Sequence, residues 1–237
     1  MKRYSEFYPS LFHPLYFIRK GIFQNIKKLA PHLKGNLMDF GCGSKPYREL
    51  FFVDKYVGVD IENEGHSHKD EKIDVYYNGV TLPFADQEFD SVLCSEVLEH
   101  VFNIEEIVKE LSRVMKTDGH ILITCPFVWN EHEAPNDFAR YTRFALESIL
   151  KKAGFSIIVF NKSGNFIETI IQLWLLYWYT QFHRKCKNYR LIRWFFKGFL
   201  VLPSNVAGIV LSRVLPFNNS LYLNNVILAK KAVSIEK

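Results

Sequence analysis

From Asn36 to about Gly119, short apolar runs alternate with amphipathic stretches. The runs NLMDF, YVGVD, IDVYY, FDSVLC and GHILITC each have the length of a buried strand, and the alternation predicts strand-helix-strand units around a parallel sheet. The clearest helix is predicted over 103–118. There Ile104, Ile107, Val108, Leu111, Val114 and Met115 recur on one face, Asn103 and Glu106 read as a capping box, and Gly119 reads as a left-handed end. A second helix is expected to start at Thr142, to present Leu146, Ile149, Leu150 and Ala153 on one face, and to stop at Gly154.

FSIIVF follows as a sixth strand, after which residues 165–215 are aromatic and helix-like, and strand character returns only in SLYLNNVILAKK. The expected organisation is therefore an N-terminal helical segment 1–35, an α/β core 36–163, a helical insertion 164–219 and a final strand with tail 220–237. The final strand is expected to pair antiparallel with the sixth.

Composition changes this picture little until charge is mapped along the chain. With 237 residues and 48% of them hydrophobic, one sizeable folded core is expected. The net charge of +5 is uneven: residues 1–168 carry 20 basic and 24 acidic side chains, and residues 169–237 carry 10 and 1. The start, MKRYSEFYPSLF, has no apolar run of the kind a secretory signal needs, so a cytoplasmic location is expected. Cysteines 42, 94, 125 and 186 lack C-x-x-C spacing, which suits reduced buried thiols, and no metal is expected.

The strongest chemical signal is Asp39-Phe40-Gly41-Cys42-Gly43-Ser44, a strand running into a glycine turn where doubly wound sheets bind ligands. Gly41 and Gly43 allow positive φ and close approach of a ligand, or simply a tight strand-helix turn. A dinucleotide fingerprint needs a third glycine where this chain has Pro46, so a nicotinamide dehydrogenase is disfavoured. Asp39 would repel a pyrophosphate but suits a cofactor with a cationic amino group and a sulfonium. Asp60 ends the second strand about where an acid binds both ribose hydroxyls, and Ile61 is placed to pack on an adenine.

DFGCGSKPY, YVGVDIE, LPFADQEFDSVLCSEVLEHV and ELSRVMKTDGHILITCPF together resemble the ordered motifs of class I S-adenosylmethionine-dependent methyltransferases over about residues 36–163. The resemblance implies a Rossmann-like, doubly wound, seven-stranded sheet with the last strand antiparallel. It implies S-adenosyl-L-methionine as cofactor, held by Asp39, Gly41, Gly43, Asp60 and Ser95 with Glu96 nearby. Relatives usually carry an Asp where this chain has Asn78-Gly79; the Asn78 side-chain oxygen is expected to accept the adenine amino group instead. Glu99 and His100 would lie near the cofactor, as a substrate contact or as packed structure.

After the fifth strand, the run from Pro126 to Thr142 resembles an H-x-x-P-x-D-[FY]-x-R-[FY]-T pattern in a subset of these enzymes, often encoded with enzymes of cell-surface glycan or glycolipid assembly. His132 reads as general base or substrate ligand, Asp137 as the group orienting it, and Arg140 or Tyr141 as acceptor ligands. The competing reading makes Asp137 and Arg140 a structural pair and Thr142 a helix cap.

Residues 166–215 are apolar and basic but interrupted by Glu168, Gln172, Lys197, Pro203, Asn205 and Arg213, so a membrane span is not expected. An amphipathic surface for anionic lipid, a dimer face and an ordinary cap all remain open. Nucleic acid is disfavoured because the cofactor-binding part is net acidic. The expected activity is methyl transfer to a small-molecule or lipid-linked acceptor, such as a saccharide hydroxyl. A non-catalytic cofactor-binding module and methylation of a membrane-borne quinone or lipid are the alternatives.

Overall fold

The computed structural model describes residues 7–61, 72–186 and 189–232. Of the expected basic run, the side chains of residues 183–188 and 190 lie outside the described residues, as do the first six residues and the last five of the tail. The chain divides into two compact units, residues 25–161 with 225–237 and residues 1–24 with 162–224.

The first unit holds a seven-stranded sheet built from β1 (Asn36–Phe40), β2 (Lys55–Ile61), β3 (Val75–Tyr77), β4 (Phe89–Ser95), β5 (Met115–Pro126), β6 (Phe155–Ser163) and β7 (Asn224–Lys231). Their order is β3-β2-β1-β4-β5-β7-β6. The pairs β1–β2, β1–β4, β2–β3 and β4–β5 are parallel, and the last strand is antiparallel. Every apolar run read as a strand is one. The sheet's inner residues, among them Met38, Phe40, Val92, Ile121 and Ile227, are buried against α2 (Ile104–Val114) and α3 (Arg143–Lys152).

Two expectations about α2 fail. The helix ends at Val114, because Met115 already has extended backbone (φ −82, ψ 142) and begins β5. Met115 is fully buried, so it continues the apolar series after the helical period has stopped. The left-handed position is Asp118 (φ 65); Gly119 is needed for space, since a Cβ there would stand 2.9 Å from the Asp90 and Lys116 carbonyl oxygens. Nor is there a capping box: Asn103 precedes the helix, yet its side chain makes no cap hydrogen bond. At α3 the expected cap is present, the Thr142 hydroxyl accepting from the Ala145 amide at 3.3 Å, and Gly154 ends that helix at φ 84.

The second unit is helical, with the N-terminal part of α1 (Tyr16–Leu29), α4 (Phe166–Cys186), α5 (Arg190–Phe196), a π-helical turn (Lys197–Val201) and α6 (Leu202–Val214). The polar residues that interrupt its apolar sequence turn inward. The Gln172 side chain is fully buried, accepts the Phe17 and Ile18 amides at 3.1 and 3.2 Å and donates to the Pro14 carbonyl at 2.8 Å. Asn205 donates to the Leu11 carbonyl at 2.7 Å. Pro203 falls in the first turn of α6, where its missing N–H costs nothing. Leu191–Val214 is thus one continuous helix, long and apolar enough to cross a membrane, contrary to the broken segment expected.

Candidate active site

The carboxyl ends of β1, β2, β4 and β5 converge on one edge of the sheet, where the loops after each strand gather the candidate residues. Gly41 leaves β1 at φ 71, and a Cβ there would stand 2.2 Å from Val97 Cγ2, so both the turn and the space demand glycine. Gly43 follows at φ 43 and donates its amide to Asp60 Oδ2 at 2.9 Å; the other Asp60 oxygen accepts from the Ile61 amide at 2.8 Å. The turn after β1 and the acid ending β2 are thereby locked together 17 residues apart.

Asp39 is buried beneath this turn and accepts a short hydrogen bond from the Tyr56 hydroxyl. Burial lifts its carboxyl to about 7, outweighing the Tyr56 hydrogen bond and the nearby Lys45, which pull it down. Tyr56 carried no signal in the sequence; it meets Asp39 only because β2 lies beside β1. Lys45 in turn pairs with Asp74 at 2.5 Å, and Asp74 also accepts the Gly58 amide at 2.7 Å.

Asn78 departs from expectation. Its Oδ1 accepts the Val80 and Thr81 amides at 3.0 and 2.8 Å, so the side-chain oxygen is committed to a local turn. Gly79, at φ 82, sits beside Ile61, with room for a Cβ only 3.0 Å from Ile61 Cδ1. Ile61 itself is more than a third exposed.

At the end of β4, Ser95 and Glu96 join a relay through Thr124 of β5, a residue the sequence did not single out. Thr124 donates to Glu96 Oε1 at 2.6 Å, which leaves Ser95 as donor in the 2.9 Å Ser95–Thr124 bond. Glu96 holds φ 56, a left-handed conformation costly for a side chain of its kind. Beyond it, Glu99 is fully buried, and neither carboxylate oxygen has a hydrogen-bond partner. Burial first, and the nearby Glu96 second, hold its carboxyl well above the ordinary range.

The loop after β5 folds back over this point through its backbone, the Phe138 amide donating to the Glu99 carbonyl at 2.8 Å. It brings His132 against His100, ring centroids 4.7 Å apart and edge to face. Asp137 takes Arg140 in a two-pronged pair at 2.6 and 2.7 Å and accepts the His132 amide at 3.0 Å. The Arg140 guanidinium holds the Asp137 carboxyl far below its usual range. The pair thus fixes the loop as the structural reading held, and it also sets His132, whose Nδ1 lies 3.3 Å from Asp137 and 3.4 Å from Arg140. Burial, then the neighbouring His100, lower the His132 imidazole below its ordinary value. Tyr141 packs against the core, and burial pushes its hydroxyl up to about 12, away from proton transfer near neutrality.

The family model for a methyltransferase domain matches residues 15–159, well over half of the chain. The chain belongs to this methyltransferase-domain family. An uncharacterized protein of Methanocaldococcus jannaschii is 32% identical to this chain over 123 residues, which cover 51% of the chain and 58% of that relative's length. Among solved structures, a putative sarcosine dimethylglycine methyltransferase from Galdieria sulphuraria superposes with a TM-score of 0.55 at 14% identity, covering 91% of this chain and 86% of that one. The cyclase SpnF does so with a TM-score of 0.56 at 17% identity, covering 91% and 82%. The fold is that of the class I S-adenosylmethionine-dependent methyltransferases. It hosts more than one reaction, so function has to be argued from the site.

Proposed function

We propose that this methyltransferase moves the methyl group of S-adenosyl-L-methionine to a hydroxyl of a small-molecule or lipid-linked acceptor, on the cytoplasmic face of a membrane. The observation that carries the reading is the lock between the Gly41–Gly43 turn and Asp60, with buried Asp39 beneath it. A glycine turn with an acid under it disfavours a pyrophosphate, and a strand-end carboxylate beside it is where a ribose binds. Asp39 would face the cofactor's amino group, Asp60 its ribose hydroxyls, and Ile61 with Gly79 its adenine.

The carbon–oxygen bond forms as the carbon–sulfur bond breaks, S-adenosylhomocysteine leaves, and the hydroxyl proton goes to the His132 side of the crevice. The leaving group is already activated, so holding the two reactants in line supplies most of the rate, up to ~7–11 kcal/mol of the barrier. Arg140 and His132, fixed by Asp137, line the acceptor side. A membrane-borne acceptor is favoured by the exposed apolar helix Leu191–Val214.

Calorimetric titration with S-adenosylmethionine, S-adenosylhomocysteine and NADH tests the cofactor. Micromolar binding of both sulfur compounds, none of NADH, and a loss of at least about tenfold in Asp60→Ala are expected. Equal binding of NADH, or no binding of either sulfur compound, would refute the proposal.

A further inference from the structure

Behind the loop after β5, Glu99, His100 and His132 place one ligand atom each within 4.8 Å of one another. His100 Nδ1 lies 2.6 Å from the Asn136 carbonyl oxygen, a contact that needs the proton on Nδ1 and turns the Nε2 lone pair the other way. What that nitrogen faces is acid: Glu99 Oε1 at 3.8 Å and Glu133 Oε2 at 3.5 Å. Glu99 is fully buried, and both its oxygens lack any donor. Three potential ligand atoms therefore meet at one point, one of them on a fully buried carboxyl that no protein donor satisfies. Arg140 gives Glu99 no hydrogen bond, its guanidinium being taken up by Asp137 and by the Asn130 and Ala139 carbonyls, and it acts on Glu99 through charge alone.

We infer that Glu99, His100 and His132 form a binding site for a divalent first-row transition metal ion. Two imidazoles and a carboxylate are a donor set that selects zinc, iron or cobalt over magnesium, and leave positions open for substrate. Donors about 2.1 Å from a tetrahedral ion stand about 3.4 Å apart, so a pair now as much as 4.8 Å apart would close by ~1.4 Å. The outer contacts a metal-bound histidine requires are already in place. Asn136 orients His100, while Asn130, Asp137 and Arg140 surround Nδ1 of His132 and leave Nε2 to the ion. Where the methyl-transfer reading holds, the acceptor hydroxyl would take an open position on the ion, which makes it more acidic before it attacks the methyl group.

The experiment strips the purified full chain with a chelator and titrates it with Co²⁺, reading visible absorption and, in parallel, the heat of Zn²⁺ binding. One ion per chain is expected, with the intense absorption of a low-coordinate nitrogen–oxygen site, and Zn²⁺ should displace it while Mg²⁺ should not. His132→Ala lies in the loop and spares the core; it should weaken binding about tenfold or more, as should the near-isosteric Glu99→Gln. S-adenosylhomocysteine affinity, measured on the same samples, should be unchanged in both variants, which separates this proposal from the cofactor reading. No stoichiometric uptake by the wild-type chain, or uptake undiminished in His132→Ala and Glu99→Gln, would overturn it.

Discussion

A carboxyl group that ionises near 4 in water stands at about 7 when it is Asp39, because burial removes the solvent its charge needs. The sign of the consequence follows. Between about pH 4 and 7 the folded chain binds a proton that the unfolded chain has lost, so the free protein loses stability as pH rises through that window. A bound cationic amino group favours the ionised form, so cofactor uptake below pH 7 must expel the proton. S-adenosylmethionine should therefore bind about tenfold more weakly for each pH unit below 7, and Asp39→Asn should bind weakly with a flat profile. Calorimetry from pH 5.5 to 8 checks this, and a flat wild-type profile would remove Asp39 from the binding step. At this scale the sequence was legible where one residue type meets one steric demand, as in the positive φ of Gly41 and Gly43. Tyr56 and Thr124 escaped notice because their roles exist only once neighbouring strands are side by side.

Among the elements, β1, β4 and β7 announce themselves by near-continuous burial, and the other strands were readable as apolar runs too. Ends were harder, since a buried Met115 looks the same to a periodicity whether it closes a helix or opens a strand. Caps are hydrogen bonds, and composition says only that one is available. The two helix starts make the difference measurable. Thr142→Ala should cost ~1 kcal/mol, or roughly 2–4 °C in Tm, with Thr142→Ser restoring most of it, because the hydroxyl accepts the Ala145 amide. Asn103→Ala should cost much less, because the Asn103 side chain makes no cap bond. Equal losses in thermal melts would show that the caps do not differ as described.

For the molecule as a whole, the helical unit exposes Leu191, Trp194, Phe199, Val214 and Phe217, the first and last each three-quarters exposed. Only basic charges accompany that surface, since no acidic residue lies between Glu168 and Glu236. Association with anionic vesicles is expected, seen as co-sedimentation that weakens with salt and is lost in the double variant Leu191→Asp, Phe199→Asp. Equal sedimentation of that variant would show that this helix is not the contact. The helical insertion was legible, but Gln172 and Asn205 read as polar breaks in apolar runs, whereas folding uses them as inward clamps on residues 11–18. That clamp has a temporal side. A ribosome adding ~5–20 residues per second delivers Phe17 and then needs roughly 8–30 s to reach Gln172. For much of that interval residues 11–18 are made without their partner, so a chaperone that holds nascent chains would meet them early and release them only once Gln172 has arrived.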